Sequence, residues 1–287
     1  MNTHFRILLV LLALGAVGAF GCGGPRYTQV SAGMSHSCAL RTDGSAACWG
    51  RNDEGQATPP VGSFTKITVG HMHTCALRSD GTVACWGRNK YGEATSPGGT
   101  FADVGAGAFY TCGVTTDGVL SCWGRDRVGQ TQTPEGTFKS VSAGTTVACA
   151  VRTDATIACW GRDRSGAGNP PEGEFASVSA GNGHICALGT NGAVTCWGRR
   201  IEGQITPPAD IYSKVAAGGF TSCGLKPSGE VHCFGSNSQG QGIQPTGLFS
   251  DVTVGHAHAC GVLTNGKLSC WGKDDSGQAM PPRGTRR

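Results

Sequence analysis

From Tyr27 onward the chain reads as short apolar–polar runs closed by Gly or Pro. Phe64-Thr-Lys-Ile-Thr-Val69 is one such run, and it stops at Gly70. Runs this short, bounded by strong turn residues, predict β-strands rather than helices. The first stretch predicts a strand A at 27–32, a strand B at 37–41, a strand C at 45–50 and a short strand D at 56–59. Asp43-Gly44 lies between B and C and predicts a tight hairpin. With Thr42-Asp43-Gly44 as its loop and Gly44 left-handed, Arg41 lies opposite Ser45 and Cys38 opposite Cys48.

This pattern recurs. Cysteines fall at 38, 75, 112, 149, 186, 223 and 260, and again at 48, 85, 122, 159, 196, 233 and 270, each series stepping by 37 without insertion or deletion. Seven such units run from Tyr27 to about Thr285. Each opens on an aromatic residue (Tyr27, Phe64, Phe101, Phe138, Phe175, Tyr212, Phe249) and carries a Gly after strand A (Gly33, Gly70, Gly107, Gly144, Gly181, Gly218, Gly255). Cys-Trp-Gly or a close variant ends strand C. A fixed period of this size signals an array of one supersecondary unit. The fourth unit is the least regular, with Ala155 for the turn Gly, Val147 for a His and Ala167 for a Gln.

The hairpin register puts Cys38 and Cys48 at a non-hydrogen-bonded position, where Cα atoms approach to about 4.5 Å, within disulfide range. We therefore expect one cross-strand disulfide per unit: Cys38–Cys48, Cys75–Cys85, Cys112–Cys122, Cys149–Cys159, Cys186–Cys196, Cys223–Cys233 and Cys260–Cys270. Free thiols do not suit an oxidising compartment, and zinc sites want shorter spacings than this hairpin supplies. Trp49 is the neighbour of Cys48, so it points to the other face, beside the small residues Ser37, Ala39 and Ala47. Six units carry Trp at this position and the seventh carries Phe234, which reads as packing between units. Seven small antiparallel sheets in series predict an all-β, seven-bladed β-propeller spanning 27–285. A solenoid is the other way to stack such units, but it usually has atypical ends, and here the first and last units resemble the middle ones.

The segment before the repeats has another character. Met1 to Arg6 is polar with one positive charge, and Ile7 to Gly21 is apolar. That run is short for a membrane span and matches a secretory signal core, so 1–21 is expected to be a signal peptide. Ala19-Phe20-Gly21-Cys22 resembles the bacterial lipobox. The count of 15 Cys is odd, and the seven pairs leave Cys22 alone, as a lipid anchor on a tether 22–26 would require. Two acyl chains hold a protein stably on a membrane. Gly23 in place of Asp resembles an outer-membrane address, so an outer-membrane lipoprotein of the cell envelope is expected, with an ordinary secretory signal and a secreted protein as the alternative.

Composition sharpens this reading. With 48 Gly among 287 residues a helix bundle is excluded, because Gly is costly inside helices. The net charge of +4 argues against a nucleic-acid binder that works by bulk electrostatics.

The run Ala32-Gly-Met-Ser-His-Ser-Cys-Ala-Leu-Arg-Thr-Asp-Gly44, followed by Trp49-Gly-Arg-Asn-Asp-Glu-Gly-Gln56, resembles the regulator-of-chromosome-condensation repeat. The resemblance covers all seven units and implies a seven-bladed propeller. The family's eukaryotic exchange factor acts on a nuclear GTPase partly through a wedge-like insertion. Seven equal units leave no room for one, so neither nucleotide exchange nor chromatin binding is carried over. Short units, an export signal and paired cysteines suggest a bacterial exported lipoprotein version, which resembles the secreted β-lactamase-inhibitor propeller that binds proteins through one loop-covered face.

Strand order places the A–B and C–D loops at one end of the propeller and the uniform Asp-Gly turns at the other. The A–B loops vary, and Met72, Phe109, Tyr110 and Phe220 suggest interface anchors there. Arg51, Arg88, Arg125, Arg162 and Arg199 open the C–D loops as a ring of cations. His36, His73, His184 and His258 recur at one position and read as structural hydrogen-bonding groups. His71 with His73, and His256 with His258, are the only metal-like pairs, and no third ligand recurs with them. No nucleophile–base pair, cofactor loop or metal cluster is legible. The expected function is that of a monomeric, non-enzymatic module that binds an unidentified protein or anionic glycan through the variable loops, without nucleic acid or cofactor. An envelope lyase or glycan hydrolase with its site at the central channel, and a structural envelope protein, are the alternatives.

Overall fold

The structure, a computed structural model, describes residues 24–282. The expected signal peptide and Cys22 lie outside the described residues. Seven three-stranded antiparallel sheets follow one another, each built from three consecutive strands. In the first, the inner strand is Tyr27–Ala32, the middle strand His36–Arg41 and the outer strand Ala46–Gly50. The inner strands surround a central channel, so the sheets are the blades of a propeller.

The hairpin forms as expected. Arg41 N donates to the Ser45 carbonyl at 2.9 Å, Gly44 is left-handed at φ +80°, and Asp43 Oδ1 accepts from Ser45 N at 2.9 Å. Cys38 pairs with Cys48 in register. A disulfide joins them across a Cα separation of 4.0 Å, and the same link recurs in every blade.

The expected strand D at 56–59 does not form; the segment is turn and coil. Side chains capture the backbone groups a fourth strand would need. Gln56 Oε1 takes the Glu54 N–H at 2.8 Å and Asn52 Oδ1 takes that of Ala57 at 2.8 Å, while Pro59 and Pro60 have no N–H to offer. A second departure is a bulge between Tyr27 and Gln29, which recurs near the start of the inner strand in six blades. Bulges bend a strand and increase its twist. The strict alternation read from the sequence did not show it.

The core lies between blades, not within them. Trp86 of the second blade packs against the Cys38–Cys48 disulfide of the first, together with Leu40, Phe64 and Ile67. Its Nε1 donates 2.9 Å to the Gln56 carbonyl, which also accepts from Thr74 Oγ1 at 3.1 Å. Thr74 in turn accepts from His36, whose Nε2 is 2.9 Å away. Since the hydroxyl proton is already given to the carbonyl, Nε2 of His36 must carry the imidazole proton. The same indole-to-carbonyl bond spans five other gaps. One of them closes the ring: Trp49 of the first blade bonds the Gln278 carbonyl of the seventh at 2.8 Å and packs with Cys260 and Val262.

The inner strands are sheet edges whose N–H groups would otherwise lack partners. Neighbouring blades supply them. Gln29 Oε1 accepts from Ile67 N at 2.9 Å, Ser31 Oγ from Val69 N at 3.0 Å, and Asp251 Oδ2 from Val30 N at 2.9 Å across the seam. The Gly after each inner strand sits where blades crowd the axis. A Cβ on Gly70 would stand 2.3 Å from the Gly107 carbonyl oxygen, and the other six positions are equally tight against the next blade's carbonyl.

Two predictions follow from these contacts. Ala155 takes the turn-Gly position at φ +70°, a left-handed conformation that costs an L-residue about 1 kcal/mol or more. Ala155→Gly should therefore raise stability by about 1 kcal/mol, read as a rise of about 2 °C in Tm. The second concerns acid. His36, His73, His184 and His258 are fully buried and neutral, with burial pushing their pKa values down to about 3, 3, 4 and 4. In the unfolded chain they titrate near 6.5, so below that pH unfolding takes up protons. Stability should hold at neutral pH and fall from about pH 6.5 toward 4, by about 1.4 kcal/mol per pH unit for each histidine. Urea unfolding at stepped pH measures the slope, which a His184→Gln variant should lower by one proton.

Candidate binding face

The A–B and C–D loops meet at one end of the channel, as strand order predicted: Arg51 N donates to the Ser35 carbonyl at 2.9 Å, and each later blade repeats this bond. Residues following the recurrent Gly ring the mouth. Asn182 N, Gly219 N and His256 N donate to the Gly carbonyl of the next blade at 2.8–2.9 Å. The mouth is thus a belt of backbone hydrogen bonds, and it carries different side chains on each blade.

The channel behind it holds about 500 Å³. Among the described residues no Asp or Glu lines it, and its two lysines, Lys66 and Lys214, are committed to acids of the neighbouring blades. Asp103 pairs with Lys66 and accepts from Val141 N; Asp251 pairs with Lys214 and accepts from Val30 N. Each carboxylate joins neighbouring blades, which leaves neither free to move a proton for a substrate. Among the described residues no group of three or more His, Cys, Asp or Glu could hold a metal ion. The two candidate His pairs are separated by direction. His73 and His258 reach into the gap between blades, whereas His71 and His256 meet at the mouth with ring centroids 6.3 Å apart. Burial lowers His71 to about 4, so both the gap and the mouth carry neutral imidazole at pH 7.

Three of the four expected aromatic or sulfur anchors lie on this face. Met72, Phe109 and Phe220 are half-buried there. Tyr110 is not available to a partner: it is fully buried and packs with Phe138 and Val141 of the next blade. The reason is position. Tyr110 opens a middle strand, the place His36 holds in the first blade, and that residue points between blades.

The arginines divide. Arg51 is exposed and held by Asp53, Nε to Oδ1 at 2.9 Å, and Lys273 by Asp275 at 2.9 Å. Arg162 is half-buried at the equivalent place. Arg88 and Arg125 instead stack on rings. Arg88 lies 4.9 Å from the Phe109 centroid and 5.4 Å from that of Tyr91; Arg125 lies 5.6 and 5.3 Å from the same two. Arg199 lies 4.7 Å over Phe220. His71 joins Phe109 at 5.6 Å and His256 joins Phe220 at 6.2 Å. Together these side chains make one aromatic and cationic band across the mouth. Sequence reasoning missed Tyr91, although a signal was present: the other units have Glu, Val, Ser or Gln at its position.

The regulator of chromosome condensation (RCC1) repeat matches the chain at 27–56, 64–93, 101–130, 175–204, 212–241 and 249–278. The chain belongs to the RCC1-repeat family. The fourth blade is the one left unmatched, the same unit that lacks the turn Gly. Solved structures agree with an RCC1-type propeller. The CRINKLY WD40 ectodomain of the Arabidopsis thaliana receptor kinase ACR4 is 25% identical with a TM-score of 0.75, over 91% of this chain and 100% of that one. The ectodomain of the Physcomitrella patens receptor kinase CR4 is 26% identical with a TM-score of 0.74, over 86% and 74%. Yeast RCC1 (Prp20) shares the fold at 16% identity and a TM-score of 0.58, over 90% and 72%. No curated protein matches the chain.

These relatives correct one expectation. The likeness to a bacterial lipoprotein version of the family and to the β-lactamase-inhibitor propeller is replaced by a likeness to eukaryotic RCC1-type propellers, plant receptor ectodomains among them. Short, disulfide-closed units had suggested the bacterial version. They are a property of the blade, and do not by themselves identify a bacterial lineage. The reading of the chain as an interaction protein rather than an enzyme agrees with the two receptor ectodomains among them.

Proposed function

We propose that this RCC1-type propeller is an exported protein-interaction module that engages its partner through the loop face at the channel mouth. One observation carries the reading: a rigid ring of near-identical blades supports a face whose large side chains differ from blade to blade. Packing would favour uniform small residues there, and half-buried aromatics beside arginines are the usual anchors of interfaces. Seven disulfides suit an oxidising compartment, and in two plant relatives propellers of this kind are receptor ectodomains. Among the described residues the channel is lined by no Asp or Glu, its two lysines are paired, and its two imidazoles, His71 and His256, sit at the mouth against aromatic rings, so binding is the reading the geometry favours.

The test is partner capture from extracellular fractions. A Phe109→Asp, Phe220→Asp double variant should lose at least about tenfold in affinity for a saturable partner, the scale of one hot spot. Val119→Asp, in a hairpin turn at the opposite end, should keep it. Retention by the double variant would move the site off this face.

A further inference from the structure

The loop face is electrically lopsided. Between the first residue of the C–D loop and the Gln position, blades two to five each carry two cations and one acid, as in Arg88, Lys90 and Glu93. Blades seven and one carry the reverse, as in Arg51, Asp53 and Glu54, and their cations are held by their own acids. The sixth has no charge in this stretch. Within the positive sector, blades two and three differ from the rest: two guanidiniums share two rings.

Arg88 is positioned by Glu93, whose carboxylate is buried 3.8 Å away. Arg125 has no carboxylate partner among the described residues, and its Nε is buried without an acceptor. Stacking uses the flat faces of a guanidinium and leaves its N–H edge to bind an anion in a bidentate fashion. Arg125 is half-buried, and among the described residues its own chain supplies no carboxylate for its charge.

We propose that Arg125, set between Tyr91 and Phe109, is the anchor for a carboxylate of an acidic protein segment, with an apolar partner residue against Phe109 and Met72. This rests on the loop-face reading and narrows it. A protein segment fits better than a polyanionic glycan. Acids interrupt the cations here (Asp126, Glu93), and the acidic sector of blades seven and one would repel a uniform polyanion. A segment of mixed character can put its carboxylate on Arg125, its apolar group on Phe109 and its basic residues toward Asp53 and Asp274.

The experiment uses the full chain and three probes: a Ser/Gly peptide bearing Glu-Phe-Glu, its Gln-Phe-Gln analogue, and chondroitin sulfate. Fluorescence anisotropy should show the Glu peptide bound, and the Gln analogue weaker by about tenfold or more, the scale of a charge-assisted bidentate pair. Arg125→Gln should lose the same factor while Arg51→Gln loses none, with thermal unfolding unchanged in both. No binding of the Glu peptide, equal binding of both peptides, an unchanged Arg125→Gln, or binding of chondroitin sulfate alone would each overturn the anchor. The broader reading is judged separately. If Phe109→Asp, Phe220→Asp abolishes partner capture while Arg125→Gln keeps it, the loop face stands and the carboxylate anchor falls.

Discussion

Six of the seven gaps between blades depend on one backbone carbonyl that receives an indole N–H, with the indole itself lying on the neighbouring blade's disulfide. The Gln56 carbonyl takes Trp86 Nε1 and Thr74 Oγ1 together, so one oxygen fixes both the outer and middle strands of the next blade. The side chain that bears this carbonyl matters less than its place. Ala167 serves Trp197 at 3.0 Å as well as the Gln residues serve theirs. Where Phe234 replaces the indole, Gln244 pairs with the Cys233 N–H and carbonyl at 2.9 and 2.8 Å and covers the outer edge instead. A blade too small to bury a face of its own gains its core from the next one, and that need closes the ring.

The fold was legible because nearly everything that sets it repeats. The step of 37 fixed which cysteines pair, and Asp43-Gly44 set the register that brings Cys38 to Cys48. The indole wedge followed from Trp49 being a neighbour of Cys48 with Ser37, Ala39 and Ala47 beside it. The failures came from local side-chain capture of backbone. Gln56 and Asn52 take N–H groups that a fourth strand would have used, and no periodicity reveals that. Tyr110 was misassigned for a related reason. It was read as a loop tip because it follows Phe109, yet one residue further along the chain belongs to the strand and faces the gap.

The candidate face was legible in the opposite way, through exceptions. Repeated residues turned out to be structural: His36 and its equivalents hold hydroxyls across gaps, and Asp103 and Asp251 join inner strands. Residues that break the repeat, Phe109, Phe220 and Tyr91, gather at the mouth with Arg88, Arg125 and Arg199. A ring so fully bonded can vary its loops without cost to the core, which is how one scaffold can serve receptor ectodomains and other binding proteins alike.

The central structural claim is a closed ring whose seam is bonded like the other indole-bridged gaps. Trp49 and Trp160 are equally buried and donate to equivalent carbonyls, one across the seam and one mid-chain. Urea unfolding of Trp49→Phe and Trp160→Phe compares them directly. A closed ring predicts matching losses of about 1–3 kcal/mol, the cost of a buried hydrogen bond and its unpaired acceptor. A Trp49→Phe variant as stable as the parent, beside a destabilised Trp160→Phe, would mean that the seam is open.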